Sequence, residues 1–201
     1  DSNNIIKIQF GSGGDSLLDI GCGTGFIIDI AKNYFHKVVG IDATPAMLEK
    51  VNLNGGIGTV EVQEGNCESL PFPNDSFDVC TAYALLHHLM EISRTLKEAY
   101  RVLKPGGILY TDQDPNAEFW KALTTLPEGN YSSIVRREIK AVRGEALELS
   151  YVDEETFKKS EYLKFKLGGF WSGELKSVVL GVGFKECKVN YNWFLGERVY
   201  I

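Results

Sequence analysis

A strand-like run, Leu17-Leu18-Asp19-Ile20, ends in three glycines at alternate positions, Gly21-Cys22-Gly23-Thr24-Gly25. Phe26, Ile27, Ile28 and Ile30 then begin an apolar helical pattern. A strand that turns through glycines into a helix brings bare backbone against a ligand, because a side chain at Gly21 or Gly23 would block the approach. The spacing departs from the dinucleotide fingerprint G-x-G-x-x-G, since Phe26 stands where the third glycine packs the helix beneath a pyrophosphate. Asp19, two positions before the first glycine, places a carboxylate where it can face a cation. This pattern favours a ligand with an ammonium or sulfonium over one with phosphates.

Two other groups suit proton transfer. His87 and His88 stand side by side, and an imidazole titrates near neutral pH. Asp112, Gln113, Asp114 and Asn116 gather further on, where Asp112 or Asp114 can act as a base or bind a polar acceptor. Asp114-Pro115-Asn116 equally reads as a turn and helix start.

The elements that must hold these residues alternate. Leu17–Ile20, Lys37–Ile41, Thr59–Gln63, Phe77–Ala82 and Ile108–Asp112 read as strands. Phe26–Phe35 reads as a helix with Phe26, Ile27, Ile30, Ala31 and Phe35 inward. A second helix starts at Thr44 as cap, with Pro45 in the first helical position. Residues 91–103 form the clearest amphipathic helix, turning Ile92, Leu96, Ala99, Tyr100 and Leu103 inward, and Pro105-Gly106-Gly107 stops it. The fold class is α/β: a doubly wound, mostly parallel sheet. Residues 115–171 break the alternation, and Glu118–Leu126, Ile134–Leu149 and Glu154–Leu167 predict a helical insertion on the substrate side. Trp120, Tyr131, Phe165, Phe170 and Trp171 give it an aromatic character, as core or as the wall of an apolar pocket. Phe184–Tyr191 and Glu197–Ile201 predict a C-terminal antiparallel hairpin.

Asp19 to Gly25 resembles the first motif of the class I S-adenosylmethionine-dependent methyltransferases. Val38-Val39-Gly40-Ile41-Asp42 resembles that family's second strand, and Glu64 to Phe72 the loop after the third. Phe77-Asp78-Val79 with Ala84 to Leu89 is similar to the fourth strand and its sequel, and Arg101 to Leu109 to the turn into the fifth. The blocks follow family order from about residue 15 to 114.

The resemblance implies a seven-stranded Rossmann-like sheet. It also implies S-adenosyl-L-methionine as cofactor, released as S-adenosyl-L-homocysteine. In that reading Gly21, Cys22, Gly23 and Gly25 pass backbone beneath the methionine part and ribose, and Asp19 favours the ammonium. Asp42 accepts from the ribose hydroxyls, and Ala43 and Met47 flank the adenine. Asn66 stands in place of an acidic residue that receives the adenine amino group, with the Cys67 backbone at the ring edge. Ala84 and Leu85 line the cofactor beside the methyl. His87 and Asp112 are the proton acceptors of choice, although paired histidines in this turn also pack or cap. The family has helices before its first strand. Only Asp1–Asp15 precede it here, so upstream helices are expected to lie ahead of this sequence.

At 201 residues, 44% hydrophobic and 24% charged, the chain fits one domain, 1–201. A net charge of −6 argues against an electrostatic nucleic-acid binder, and no DNA partner is expected. Tyr83-Ala84-Leu85-Leu86 is unlike the Asn/Asp-Pro-Pro-aromatic loop of base-modifying enzymes, and no Pro-Cys nucleophile occurs. Cysteines 22, 67, 80 and 187 have no C-x-x-C spacing, and with three histidines no metal site is expected. No apolar run approaches the roughly 20 residues of a membrane span, which points to a reducing cytoplasm. A small-molecule acceptor is the first reading. The alternatives are a protein or RNA substrate, and a regulatory subunit that binds the cofactor without turnover. A nicotinamide dehydrogenase is opposed by Phe26.

Overall fold

Five parallel strands carry the first part of the chain, in the spatial order β3-β2-β1-β4-β5. They are β1 (Gly14–Ile20), β2 (Phe35–Asp42), β3 (Thr59–Glu64), β4 (Phe77–Tyr83) and β5 (Leu103–Asp112). The computed structural model describes residues 14–127, 129–142 and 168–190. These fall into two compact units, one running to Leu86 and including Glu91–Gln113, the other comprising His87–Met90 and the chain from Asp114.

In the first unit β1 is the central strand. Leu17, Leu18 and Ile20 are fully buried, as a parallel strand covered on both faces requires. Leu17 pairs with Val38 on one side and Val79 on the other, while Asp19 pairs with Gly40 and Thr81. The strand order reverses between β1 and β4. Ligands bind at the carboxyl ends of strands at such a point in open α/β sheets. Helix α1 (Phe26–Ala31) buries Ile27, Ile28 and Ala31 against Leu17, Val38 and Val79. Helix α2 (Pro45–Leu48) is a single turn, and α3 (Ile92–Val102) precedes β5.

Several boundaries differ from expectation. Phe35 is not the end of α1 but the first residue of β2, fully buried, because the helix stops at Ala31. Phe26 is 47% exposed and rests on Tyr83, ring centroids 5.1 Å apart, rather than facing the core. On α3 the buried face is Thr95, Leu96, Ala99 and Val102, and Tyr100 points outward. Pro105-Gly106-Gly107 does not separate helix from strand: β5 starts at Leu103 and absorbs them in a bulge, since Phe77 pairs with Leu103 and Val79 with Ile108. Thr44 makes no side-chain cap for α2. The described residues carry five strands, not seven.

Arg101 locks α3 to the loop before β4. Its guanidinium donates to the carbonyls of Leu70 (2.9 Å) and Phe72 (2.8 Å), to Asn74 Oδ1 (3.0 Å) and to both oxygens of Glu98. Glu98 in turn accepts from the Leu70 N–H at 2.7 Å. At the start of β4 Asp78 accepts from Ser16 and Lys104, tying β1, β4 and β5 together.

The second unit contains α4 (Ala117–Thr124), α5 (Ser133–Val142) and α6 (Ser172–Val182). Trp120, Leu123, Val135 and Ile139 form its core. Asn116 caps α4 by accepting from the Phe119 N–H at 2.8 Å, so the turn reading of Asp114-Pro115-Asn116 describes it. Phe170 bonds back to Pro115 and Ala117, and Glu118 accepts from the Ser172 N–H, joining the starts of α4 and α6. Trp171 is exposed beneath Lys121. Helices expected over 118–126 and 134–149 correspond to α4 and to α5 as far as Val142, whereas 154–167 and Phe165 lie outside the described residues. Helix α6 was not expected, although Leu175, Val178, Val179 and Val182 have helical spacing and Gly183 caps it with a φ of 129°. Phe184–Asn190 forms no strand, and the rest of the expected hairpin lies outside the described residues. No helix among the described residues is long and apolar enough to cross a membrane.

Replacing Arg101 by alanine orphans carbonyls and a carboxylate that share one charged donor. Urea unfolding should show a loss of about 1.5 to 3 kcal/mol. The exposed Lys97→Ala serves as control, and an equal effect in both would remove Arg101 from this role.

Candidate active site

The glycine loop is shaped by the neighbouring strand. Ile20 and Ile41 pair in register, so the tips of β1 and β2 are level. The Ile41 carbonyl accepts from the N–H of Gly21 (2.8 Å) and of Cys22 (3.0 Å). Asp42 takes over from there: Oδ2 accepts from the Gly23 N–H and Oδ1 from the Thr44 N–H, both at 2.9 Å. Its own carbonyl accepts from Gly65, which draws in the tip of β3. One residue thus orients the loop and the start of α2 through its carboxylate, and the turn before Asn66 through its main-chain carbonyl.

Gly21 and Gly23 have φ of 69° and 53°, a left-handed backbone that L side chains adopt at a cost of roughly 1–2 kcal/mol. Their surroundings differ. A β-carbon at Gly21 would come 2.6 Å from Leu85 Cδ1, and one at Gly25 2.8 Å from Val51 Cγ1. At Gly23 nothing lies within 4 Å. Bare main chain there faces open space at the switch point of the sheet, which is the cradle a flat ligand needs.

Asp19 lies behind the loop and is 1% exposed. Its Oδ1 accepts from Thr81 Oγ1 at 2.7 Å. Burial pushes the carboxyl up to about 7 and the charge of Asp42 adds to this, while the Thr81 bond works against both. Burial and the same two carboxylates push the Cys22 thiol up to about 12. Ala43, just before α2, and Met47, within it, are exposed. Asn66 is exposed, with Oδ1 accepting from the Glu68 N–H at 2.8 Å in a local turn, and Cys67 Sγ accepts from Thr95.

Beyond β4, Ala84 holds a φ of 51° and donates to the Asp112 carbonyl at 2.8 Å. Gln113, after β5, has a φ of 62°. Two non-glycine residues in left-handed conformation on adjacent strand tips are a form of local strain that clusters at functional sites. Asp112 accepts from Tyr110 Oη (2.6 Å) and the Gln113 N–H (2.7 Å), and burial followed by this bond pushes the Tyr110 phenol up. In the second unit, His87 is buried in the 3-10 turn Leu86–His88, and its ring Nδ1 lies 2.9 Å from Asp114 Oδ1.

Over 107 residues the chain is 36% identical to the uncharacterized methyltransferase YcgJ of Bacillus subtilis strain 168, covering 49% of this chain and 42% of that protein. The solved YcgJ structure superposes with a TM-score of 0.54 at 31% identity, over 61% of this chain and 57% of that one. Residues 18–111 match the methyltransferase domain family. They form a class I S-adenosylmethionine-dependent methyltransferase domain.

The methyltransferase domain is 41% identical over 101 residues to the demethylmenaquinone methyltransferase of Symbiobacterium thermophilum, 47% of this chain and 40% of that protein. The chain therefore spans about two fifths of the length of the curated relatives it matches. A proposed methyltransferase from Bacillus halodurans C-125, 22% identical, shares the fold with a TM-score of 0.62 over 90% of this chain and 68% of that one. Within the methyltransferase domain sequence reasoning missed Thr81 and Tyr110, the partners of Asp19 and Asp112. Thr81 carries no local signal, since it is 62 residues from Asp19 and is brought to it only by the pairing of β1 with β4. Tyr110 stands two positions before Asp112, on the same face of one strand, a spacing that could have found it.

The folded chain holds the Asp19 proton to about pH 7, whereas an ordinary aspartate loses it near 3.8. Between those values the folded state binds more protons than the unfolded one, so this group's contribution to stability falls as pH rises from about 4 to about 7. Asp19→Asn should gain on the wild type across that interval and level off above it, as read by chemical unfolding at a series of pH values. Parallel pH curves for the two proteins would refute the buried acid.

Proposed function

We propose that this chain transfers a methyl group from S-adenosylmethionine to a small-molecule acceptor. The observation that carries the reading is the open space beside left-handed Gly23, whose amide is anchored by Asp42. The residues present suit the cofactor: bare backbone at Gly21, Cys22, Gly23 and Gly25, and carboxylates at Asp19 and Asp42. Exposed Ala43, Met47 and Asn66, with Cys67, border the adenine in this reading, and Ala84 and Leu85 border the methyl. Asp42 keeps acceptor capacity for two hydroxyls, because a carboxylate offers about four lone-pair sites and the amides of Gly23 and Thr44 occupy two. Asp19, buried and short of donors, favours a cation nearby.

When bound, the cofactor supplies a methyl group activated by its sulfonium sulfur, and the protein's share is to align a nucleophile with it. An acceptor hydroxyl or carbon acid must also lose a proton. His87 is the first choice to receive it. Asp112 is the second choice, its two oxygens already accepting from Tyr110 and Gln113. Support for a small acceptor comes from the demethylmenaquinone methyltransferase relative and from the acidic charge of the chain.

Calorimetry should detect S-adenosylmethionine and S-adenosylhomocysteine binding to the chain. Asp42→Ala should weaken both by about 1.5 to 3 kcal/mol. Gly23→Ala should fold, its β-carbon meeting no atom within 4 Å, yet lose binding because that carbon fills the ligand's space. Wild-type affinity in both variants would displace the cofactor from this loop, and labelled methyl appearing only in protein or RNA of an extract would overturn the acceptor class.

A further inference from the structure

We infer that Asp114 is a positioning residue that holds His87 as its Nδ1–H tautomer and so assigns proton acceptance to Nε2. Both side chains are buried, 8% and 10% exposed. One oxygen, Asp114 Oδ1, accepts from the main-chain N–H of His87 at 3.0 Å and lies 2.9 Å from the same residue's ring Nδ1. A main-chain amide only donates, so this oxygen is in use as an acceptor. An ionised carboxylate has nothing else to offer, and the ring nitrogen beside it therefore carries the hydrogen. The neutral imidazole then has its lone pair on Nε2. Two bonds from one residue to one oxygen also fix the orientation of the ring.

The cost of the arrangement supports a purpose beyond packing. Asp114 Oδ2 is buried with no hydrogen-bond partner among the described residues. Burial pushes this carboxyl above its ordinary range, while the bonds from His87 and the charge of His88 pull it back. A cap for the His87 amide alone needs no acid, because an asparagine oxygen accepts the same N–H without a buried charge. Beside Asp114, the ring of His88 lies against the His87 ring, with centroids 4.0 Å apart.

The inference rests on the methyl-transfer reading and deepens it. The acceptor's proton passes to Nε2 as the freed electron pair bonds to the methyl carbon. The carbon–sulfur pair leaves with sulfur, and Nε2 returns the proton to water.

Three histidines make the test direct. Multiple-bond proton–nitrogen correlation spectra of the 15N-labelled chain at pH 8, with His36→Gln and His88→Gln for assignment, should show His87 protonated at Nδ1. In Asp114→Asn, whose amide can donate to the ring, at least half of His87 should switch to the Nε2–H form. A wild-type His87 protonated at Nε2, or an unchanged tautomer in folded Asp114→Asn, would overturn the inference. Should that variant fail to fold, the wild-type spectrum alone decides. Calorimetry with S-adenosylmethionine on the wild type separates the two readings: no heat there sinks methyl transfer and leaves the tautomer result standing.

Discussion

The bond from the Gly23 amide to the Asp42 carboxylate is the constraint on which this site depends. A segment of alternating glycines has more backbone freedom to lose than any other, and left alone it would not hold one shape. The two neighbouring acceptors, the Ile41 carbonyl and the Asp42 side chain, take three successive amides of the loop. That is possible only because β1 and β2 are parallel and level at Ile20 and Ile41. The sheet therefore fixes the loop, and Asp42 passes the same register to α2 and to the turn after β3.

Around this tether the protein tolerates two costs. Asp19 is a carboxyl with almost no access to water and a single side-chain donor, Thr81. Ala84 and Gln113 adopt backbone angles that favour glycine. Neither feature helps the empty fold, and both are of the sort retained where a ligand repays them. A cation beside Asp19 turns desolvation into attraction.

The sheet was legible because parallel strands are covered on both faces and read as short, dense apolar runs, such as Leu17-Leu18 before Asp19-Ile20. The glycine loop was legible for the opposite reason, since few other sequences need so little side chain. Boundaries were harder. Phe35 is apolar enough for either element, and only the early end of α1 hands it to β2. Phe26 and Tyr100 fit the helical period yet lie outside the core, because an aromatic neighbour satisfies the first and Thr95 and Val102 fill the face claimed for the second. The site split in the same way. Residues bearing the chemistry, Asp114 among them, stood out by type, but Thr81 as the partner of Asp19 did not, for a contact made across strands leaves no period in the chain.

Leu85 sits where a side chain on Gly21 would be, its Cδ1 2.6 Å from the position of that absent carbon. The two positions are 64 apart in the chain and so behave as one unit of shape. Changing the first requires trimming the second and also forcing an L residue through a φ of 69°, so a change at Gly21 alone is strained twice over. Sequence drift at the tip of β1 is thereby tied to drift beyond β4, an epistasis imposed by volume and backbone angle together.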